Sequence, residues 1–181
     1  MKKLFLVSIQ LLLYSILIFG NSDTLLIRNN DAVIKAVKTI QPITIDGKIE
    51  EYVWTSQKGF ENFIQRDPIE GTAPTERTII KLAYDEKYLY LGAIMYDSTP
   101  DSIMARLTRR DEEVDADNIV LCLDPYNDKR SGYYFGLNAA GAQLDGVLYN
   151  DSWDDDSWDG VWEGKVSRIG DGWTAEMSIP F

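Results

Sequence analysis

The stretch TERTIIKLAYDEKYLYLGAIMYD, residues 75–97, decides the fold. Two runs rich in β-branched and aromatic residues flank Asp85, Glu86 and Lys87, the pattern of two strands joined by a turn. In the second run Leu89, Leu91, Ala93 and Met95 point one way, and Tyr88, Tyr90, Ile94 and Tyr96 the other. Both faces are apolar, so this strand is predicted to lie inside a sheet that is covered on both sides.

The same texture continues on either flank. Toward the C-terminus DNIVLCLDP (117–125), GYYFGLNAAG (132–141), AQLDGVLYN (142–150), VWEGKVSRIG (161–170) and GWTAEMSIPF (172–181) are short β-like runs punctuated by Gly, Asn or Asp. Toward the N-terminus ITIDGKIEEYVW (43–54) joins a short strand to an Asp-Gly turn and one helical turn, whose Ile49, Val53 and Trp54 share a face; Trp54 is expected in the core. One more helical segment is expected at Asp101–Ala105. Short strands at roughly ten-residue spacing predict an all-β fold, an antiparallel two-sheet β-sandwich of jelly-roll type. No internal repeat or low-complexity linker divides the chain, so one domain is expected over residues 39–181, preceded by a leader, 23–38, of unassigned role.

Lys2 and Lys3 precede an uncharged apolar run, residues 4–20, with Gly20 and Ser22 placed for cleavage. This reads as a signal peptide over residues 1–22 and an exported protein in the periplasm, the outer membrane or outside the cell. A retained anchor is the alternative, because the run is near the shortest length that spans a bilayer. The chain ends on Phe181 directly after a strand, which reads as the N-terminal part of a longer protein.

With 18 basic and 29 acidic residues the net charge is −11, and loss of Lys2 and Lys3 leaves 16 against 29, or −13. Nucleic acid and anionic membrane surfaces are therefore poor partners, since phosphate binding needs clustered Lys and Arg. The one cysteine, Cys122, sits in an apolar run and is expected in the core. The absence of histidine removes Ser-His-Asp, Cys-His and histidine–metal chemistry, and no phosphate-cradling glycine motif is present. A glycosidase needs two carboxylates at a set separation, but acids are too abundant here for any pair to stand out. A non-catalytic protein is expected.

DSWDDDSWDG, residues 151–160, mixes five carboxylates with two tryptophans. Asp155, Ser157, Asp159 and Gly160 match the first half of a helical calcium loop, but its twelfth position is Val166 where such a loop needs a bidentate glutamate. Two readings stay open: a calcium loop of another type, with Asp155, Ser157, Asp159 and Glu163 as structural ligands, or a solvated acidic turn. Trp162 and Trp173 fall at strand positions that point to the core. Trp153 and Trp158 lack periodic apolar partners, which predicts partial exposure and faces able to stack on sugar C–H surfaces.

Taken together and in order, ITIDGKIEEYVW, LAYDEKYLYLGAIMYD, RRDEEVDADNIVLCLDPYNDKRSGYYFGLN, SWDGVWEGKV and GWTAEMSIPF resemble the family 9 carbohydrate-binding modules. The likeness runs from about Ile40 to Phe181, and is to the version that precedes an outer-membrane β-barrel-like region in exported proteins of the Bacteroidetes type. The resemblance implies a β-sandwich that binds polysaccharide or oligosaccharide ends, often with structural calcium, and that is attached to a glycoside hydrolase or an outer-membrane protein. Sugar-binding members clamp the saccharide between two tryptophans, one of them shortly before the strand that corresponds to DNIVLCLD. Here that stretch is RRDEEVDADN, which holds no aromatic residue, and Trp158 corresponds to the second clamp. By the same reasoning Arg109 and Asp117, which flank that strand, and Asn138 and Gln143, around the AAG turn, are candidates to hydrogen-bond sugar hydroxyls. The expectation is a secreted carbohydrate-binding module serving carbohydrate catabolism. Two alternatives remain: an interaction domain of an outer-membrane barrel without sugar binding, and an accessory part of a glycoside hydrolase.

Overall fold

The computed structural model describes residues 24–29, 32–112, 114–150 and 153–181; the predicted signal peptide and the first two residues of the acidic loop lie outside them. The larger sheet contains β1 (Thr24–Asn29), β2 (Ala32–Lys38), β3 (Thr78–Tyr84), β4 (Tyr88–Tyr96), β9 (Glu163–Ile169) and β10 (Gly172–Pro180). Its order is β1-β2-β3-β4-β10-β9. The smaller sheet contains β5 (Asn118–Leu123), β6 (Ser131–Asn138), β7 (Gln143–Tyr149) and β8 (Trp153–Asp155), in that order. Every pairing is antiparallel except the short contact of β2 with β3.

Alternation along the strands builds the core. Ile80, Leu82, Leu91, Ala93 and Met177 of the larger sheet meet Ile119, Leu121, Phe135 and Leu137 of the smaller one in a single buried cluster. Of the two apolar faces predicted for residues 88–96, one is covered throughout and the other only around Tyr90, with Tyr88 exposed and Ile94 and Tyr96 half-buried. Leu89, Leu91, Ala93 and Met95 enter the inter-sheet core, while Tyr90 joins a second cluster with Val53, Trp54 and Ala83 on the outer face. That outer cluster is closed by the Asp46-Gly47 turn and by the one-turn helix α1 (Tyr52–Thr55), and it buries Trp54 completely.

Two expectations change. The stretch read as a leader supplies β1 and β2, which pair as a hairpin and extend the larger sheet through β3. The helix expected at Asp101–Ala105 is only a 3-10 turn, Pro100–Ser102. Its continuation is captured by β5: Met104 N donates to Asp117 Oδ2 at 2.9 Å and Asp117 N donates to Met104 O at 3.0 Å, which takes the backbone out of helical register.

Candidate functional site

In β7 the chain places a carboxylate where the alternation calls for an apolar side chain. Asp145 lies opposite the core residue Phe135 and is fully buried. A buried charge persists only with a counter-charge and hydrogen bonds, and Arg110 supplies both. Its Nε donates to Asp145 Oδ1 at 2.7 Å, with Nη2 on the same oxygen, while Nη2 also reaches Gly160 O at 2.7 Å. The other carboxylate oxygen, Asp145 Oδ2, accepts Gly160 N at 2.6 Å. Arg110 and Asp145 thus pin the loop between β8 and β9 at Gly160.

Asp111 stitches the second side. It takes up a left-handed conformation with φ of 60°, donates its N–H to Gln143 O at 3.1 Å, and accepts Asp145 N on Oδ1 at 2.8 Å. Residues 110–111 therefore continue the edge of β7 beyond the point where β8 ends. Burial raises the Asp111 carboxyl above its ordinary value; the Asp145 N–H opposes this, and the neighbouring charges of Asp145 and Asp159 add to it.

Trp158 lies on the same loop. Its ring packs against Tyr133, with centroids 4.9 Å apart, and edge-on to Phe135 at 6.1 Å; Phe135 in turn meets Trp162 at 5.6 Å. Trp158 is half-buried, as its lack of periodic partners predicted, with one side committed to these aromatics. Trp153 is exposed, on the short strand β8 opposite Tyr149.

The remaining candidates are dispersed. Arg109 is exposed, and it is its neighbour Arg110 that turns inward. Asp117 binds the Met104 segment as above, and burial raises its carboxyl. Asn138 is buried and organises the turn before β7: Oδ1 accepts Ala140 N and Ala142 N at 2.9 and 3.0 Å, and Nδ2 donates to Arg106 O at 2.8 Å. Gln143 begins β7 and offers its carbonyl to Asp111. The residues brought together are Trp158, Asp159, Arg110, Asp111 and Asp145, of which only Trp158 and Asp159 were singled out from sequence.

The predicted calcium ligands do not form a cation cage. Asp155 Oδ1 is turned onto Ser157 N at 2.9 Å and Ser157 Oγ, which holds its carboxyl below the ordinary value. Glu163 is exposed at the start of β9. Among the described residues, the carboxylates that gather are Asp111, Asp145 and Asp159, and of the predicted set only Asp159 belongs to them. Arg110 Nε lies 3.5 Å from Asp111 Oδ2 and 3.3 Å from Asp159 Oδ1, so a guanidinium already occupies the position of the counter-ion. Calcium needs six to eight convergent oxygens, and the side chains as arranged here do not fit it.

No protein-family model matches the sequence, and no curated protein matches it. Solved structures do match. The fold is that of the family 9 carbohydrate-binding modules. A module of this family from Caldicellulosiruptor kristjanssonii, in complex with cellotriose, shares 18% identity with a TM-score of 0.54, over 81% of this chain and 66% of that one. The same organism's module in complex with glucose gives 19%, 0.54, 81% and 69%. A protein of Bacteroides uniformis ATCC 8492, assigned to carbohydrate binding, gives 14% and a TM-score of 0.61, over 80% of this chain and 71% of that one. The chain thus spans about two thirds of the length of the structures it resembles.

Proposed function

We propose that this chain is a non-catalytic carbohydrate-binding module, exported through its N-terminal signal and serving polysaccharide capture. The observation that carries the reading is Trp158, held half-open on Tyr133 and Phe135 at a loop that Arg110 and Asp145 fix in place, in a fold shared with modules solved in complex with glucose and cellotriose. A planar aromatic fixed before binding stacks on a sugar face without an ordering cost at the moment of contact. By analogy with stacked bases, each platform is worth ~1–3 kcal/mol, so one tryptophan gives weak affinity, suited to a module tethered to a larger partner. That partner, on this reading, is an outer-membrane barrel or a hydrolase domain of the same polypeptide. The test is calorimetry with cello-oligosaccharides and other oligosaccharides. Trp158→Ala, with its melting midpoint checked, should abolish binding, whereas Arg109→Ala should leave it within about twofold, being an exposed residue outside the cluster. Unchanged affinity in a folded Trp158→Ala protein sinks the assignment. The sugar-free alternative, an interaction domain for an attached barrel, draws on the sequence before β5, which lacks an aromatic residue to face Trp158.

A further inference from the structure

Gly160 and Gly164 follow two tryptophans at the same spacing, in Trp158-Asp159-Gly160 and Trp162-Glu163-Gly164. Neither glycine has the positive φ that would call for this residue type in its backbone. What each position lacks is room for a side chain. A Cβ on Gly160 would stand 2.8 Å from Cη2 and 2.9 Å from Cζ3 of Trp158, and one on Gly164 would stand 2.8 Å from Cζ3 of Trp162. In both segments the six-membered ring of an indole folds back over the glycine two residues on, and Phe135 meets both indoles edge-on, at 6.1 and 5.6 Å.

The two seats differ in what else they touch. A Cβ on Gly164 would also strike Leu137, at 2.8 Å from Cδ1 and 3.0 Å from Cδ2, and Leu137 is fully buried, so that seat belongs to the core. At Gly160 the next nearest atom is Asp145 Oδ2, at 3.1 Å. Carbon atoms in contact stand ~3.5–4.0 Å apart, so a methyl group at position 160 must displace something. The main chain is held there on two sides, by Asp145 on Gly160 N and by Arg110 on Gly160 O. The indole of Trp158, half-buried and at the end of a side chain, is what gives way.

We propose that Gly160 is a positioning residue for the saccharide: its missing side chain sets the angle at which Trp158 meets a sugar ring. The inference rests on the reading of Trp158 as the stacking platform, and adds the device that aims it. Tyr133 and Phe135 fix where the indole packs, and Gly160 fixes how closely it folds onto its own loop. Gly160→Ala keeps the Arg110–Asp145 pair and turns the indole off its seat. Stacking depends on the plane that the ring presents, and an orientation that has to be recovered at the moment of contact costs affinity. Gly164 serves the matching seat of Trp162 and has no part in the ligand, because its neighbours are core side chains.

The test titrates the full chain and its variants with cello-, xylo- and manno-oligosaccharides by calorimetry, beside melting midpoints and acrylamide quenching of tryptophan fluorescence. Gly160→Ala should weaken binding about fivefold or more while the midpoint stays near that of the wild type, and quenching should rise as the indole leaves its seat. Gly164→Ala should do the reverse, lowering the midpoint by overpacking and leaving the affinity of the folded protein within about twofold. Trp158→Phe lacks the two ring atoms that Gly160 accommodates, so in that background Gly160→Ala should weaken binding no further. The contact with Asp145 is present in both backgrounds, so the comparison separates it from the ring. If Gly160→Ala alone fails to fold, the double variant decides, because it should fold once the ring atoms in the way are gone. Unchanged affinity in Gly160→Ala where Trp158→Ala abolishes binding would overturn the positioning role alone. An equal loss in the Trp158→Phe background, or a double variant that does not fold, would overturn it too. No binding of any of these oligosaccharides by the wild type would bring down the reading of Trp158 itself, and this inference with it.

Discussion

Trp54 lies directly over Gly92: a Cβ on that glycine would stand 3.1 Å from Cδ2 and 3.2 Å from Cε2 and Cε3 of the indole. Gly92 sits in β4 between Lys81 of β3 and Glu176 of β10. The absence of a side chain in that cross-strand row leaves the slot into which the ring fits. From there Trp54 Nε1 donates to Glu176 Oε1 at 2.8 Å, while Lys81 Nζ donates to Trp54 O at 2.7 Å. Gly92→Ala should therefore lift the indole and stretch the bond to Glu176. Overpacking of this kind costs ~1–3 kcal/mol, to be read as a lower urea midpoint with an unchanged slope. Gly71→Ala, at a position with no neighbour within 4 Å, is a control for glycine replacement as such, though its φ of 82° adds backbone strain.

Glu176 makes the fold sensitive to pH. Its carboxylate is fully buried and accepts Trp54 Nε1 on one oxygen and the N–H groups of Gly47 and Asp46, at 2.8 and 3.0 Å, on the other. Burial outweighs those three donors and, with repulsion from Glu51, pushes the group up from 4.5 to about 7. Between these values the folded protein holds a proton that the unfolded chain has lost, so stability falls as pH rises through the interval. The span corresponds to roughly 3 kcal/mol at most. Denaturation midpoints should rise on going from pH 8 to pH 5, before the exposed carboxylates begin to titrate. Glu176→Gln should flatten that rise. It should also lower stability throughout, because the amide NH2 must face at least one N–H, an unsatisfied pairing that costs ~1–3 kcal/mol. A rise that survives in the glutamine variant would assign the pH response to another group.

The two sheets and the burial of Trp54 were legible because they follow from local alternation and spacing. Two-sided apolarity in residues 88–96 points to a central strand, and the structure adopts one, covered on the core face and, on the outer face, around Tyr90. The hairpin over residues 24–38 was not legible, since a lone hairpin gains its stability from the sheet it joins and not from its own pattern. At the site, Trp158 announced itself by lacking periodic partners. Arg110 did not, because two successive arginines in a loop give no indication of which turns inward until Asp145, 35 residues away, is placed beside one of them. A signal for Asp145 was present in AQLDGVLYN: strand parity puts this carboxylate on the face of Val147, opposite Phe135 and toward the core.

The Arg110–Asp145 pair should behave as a unit. Asp145→Ala takes the buried carboxylate from the Arg110 guanidinium and leaves the buried Gly160 N–H without an acceptor, and Arg110→Ala leaves Asp145 buried with no counter-charge. Breaking one side of such a pair costs ~3–5 kcal/mol. The double variant should recover part of the loss, and a double-mutant cycle reports the coupling. Arg110→Lys should not rescue, because an ammonium cannot reach Asp145 and Gly160 O together in the geometry of the planar fork. Amide exchange at Gly160 separates this from general destabilisation: its N–H should lose protection in each single variant before the core strands do.

The same guanidinium decides the response to calcium. In the wild-type protein Asp111, Asp145 and Asp159 share Arg110 as their cation. Adding calcium or chelator is therefore expected to leave the melting midpoint unchanged. Arg110→Ala removes that cation and leaves three carboxylates whose oxygens lie within 4.8 Å of one another, a cluster whose mutual repulsion a divalent ion relieves. Calcium should then raise the midpoint of the variant, in proportion to the logarithm of its concentration once binding saturates, and chelator should reverse the effect. Differential scanning calorimetry of both proteins, each with calcium and with chelator, makes the comparison. A wild-type midpoint that falls on chelation would mean that the ion is bound despite Arg110, by oxygens arranged otherwise than they are here.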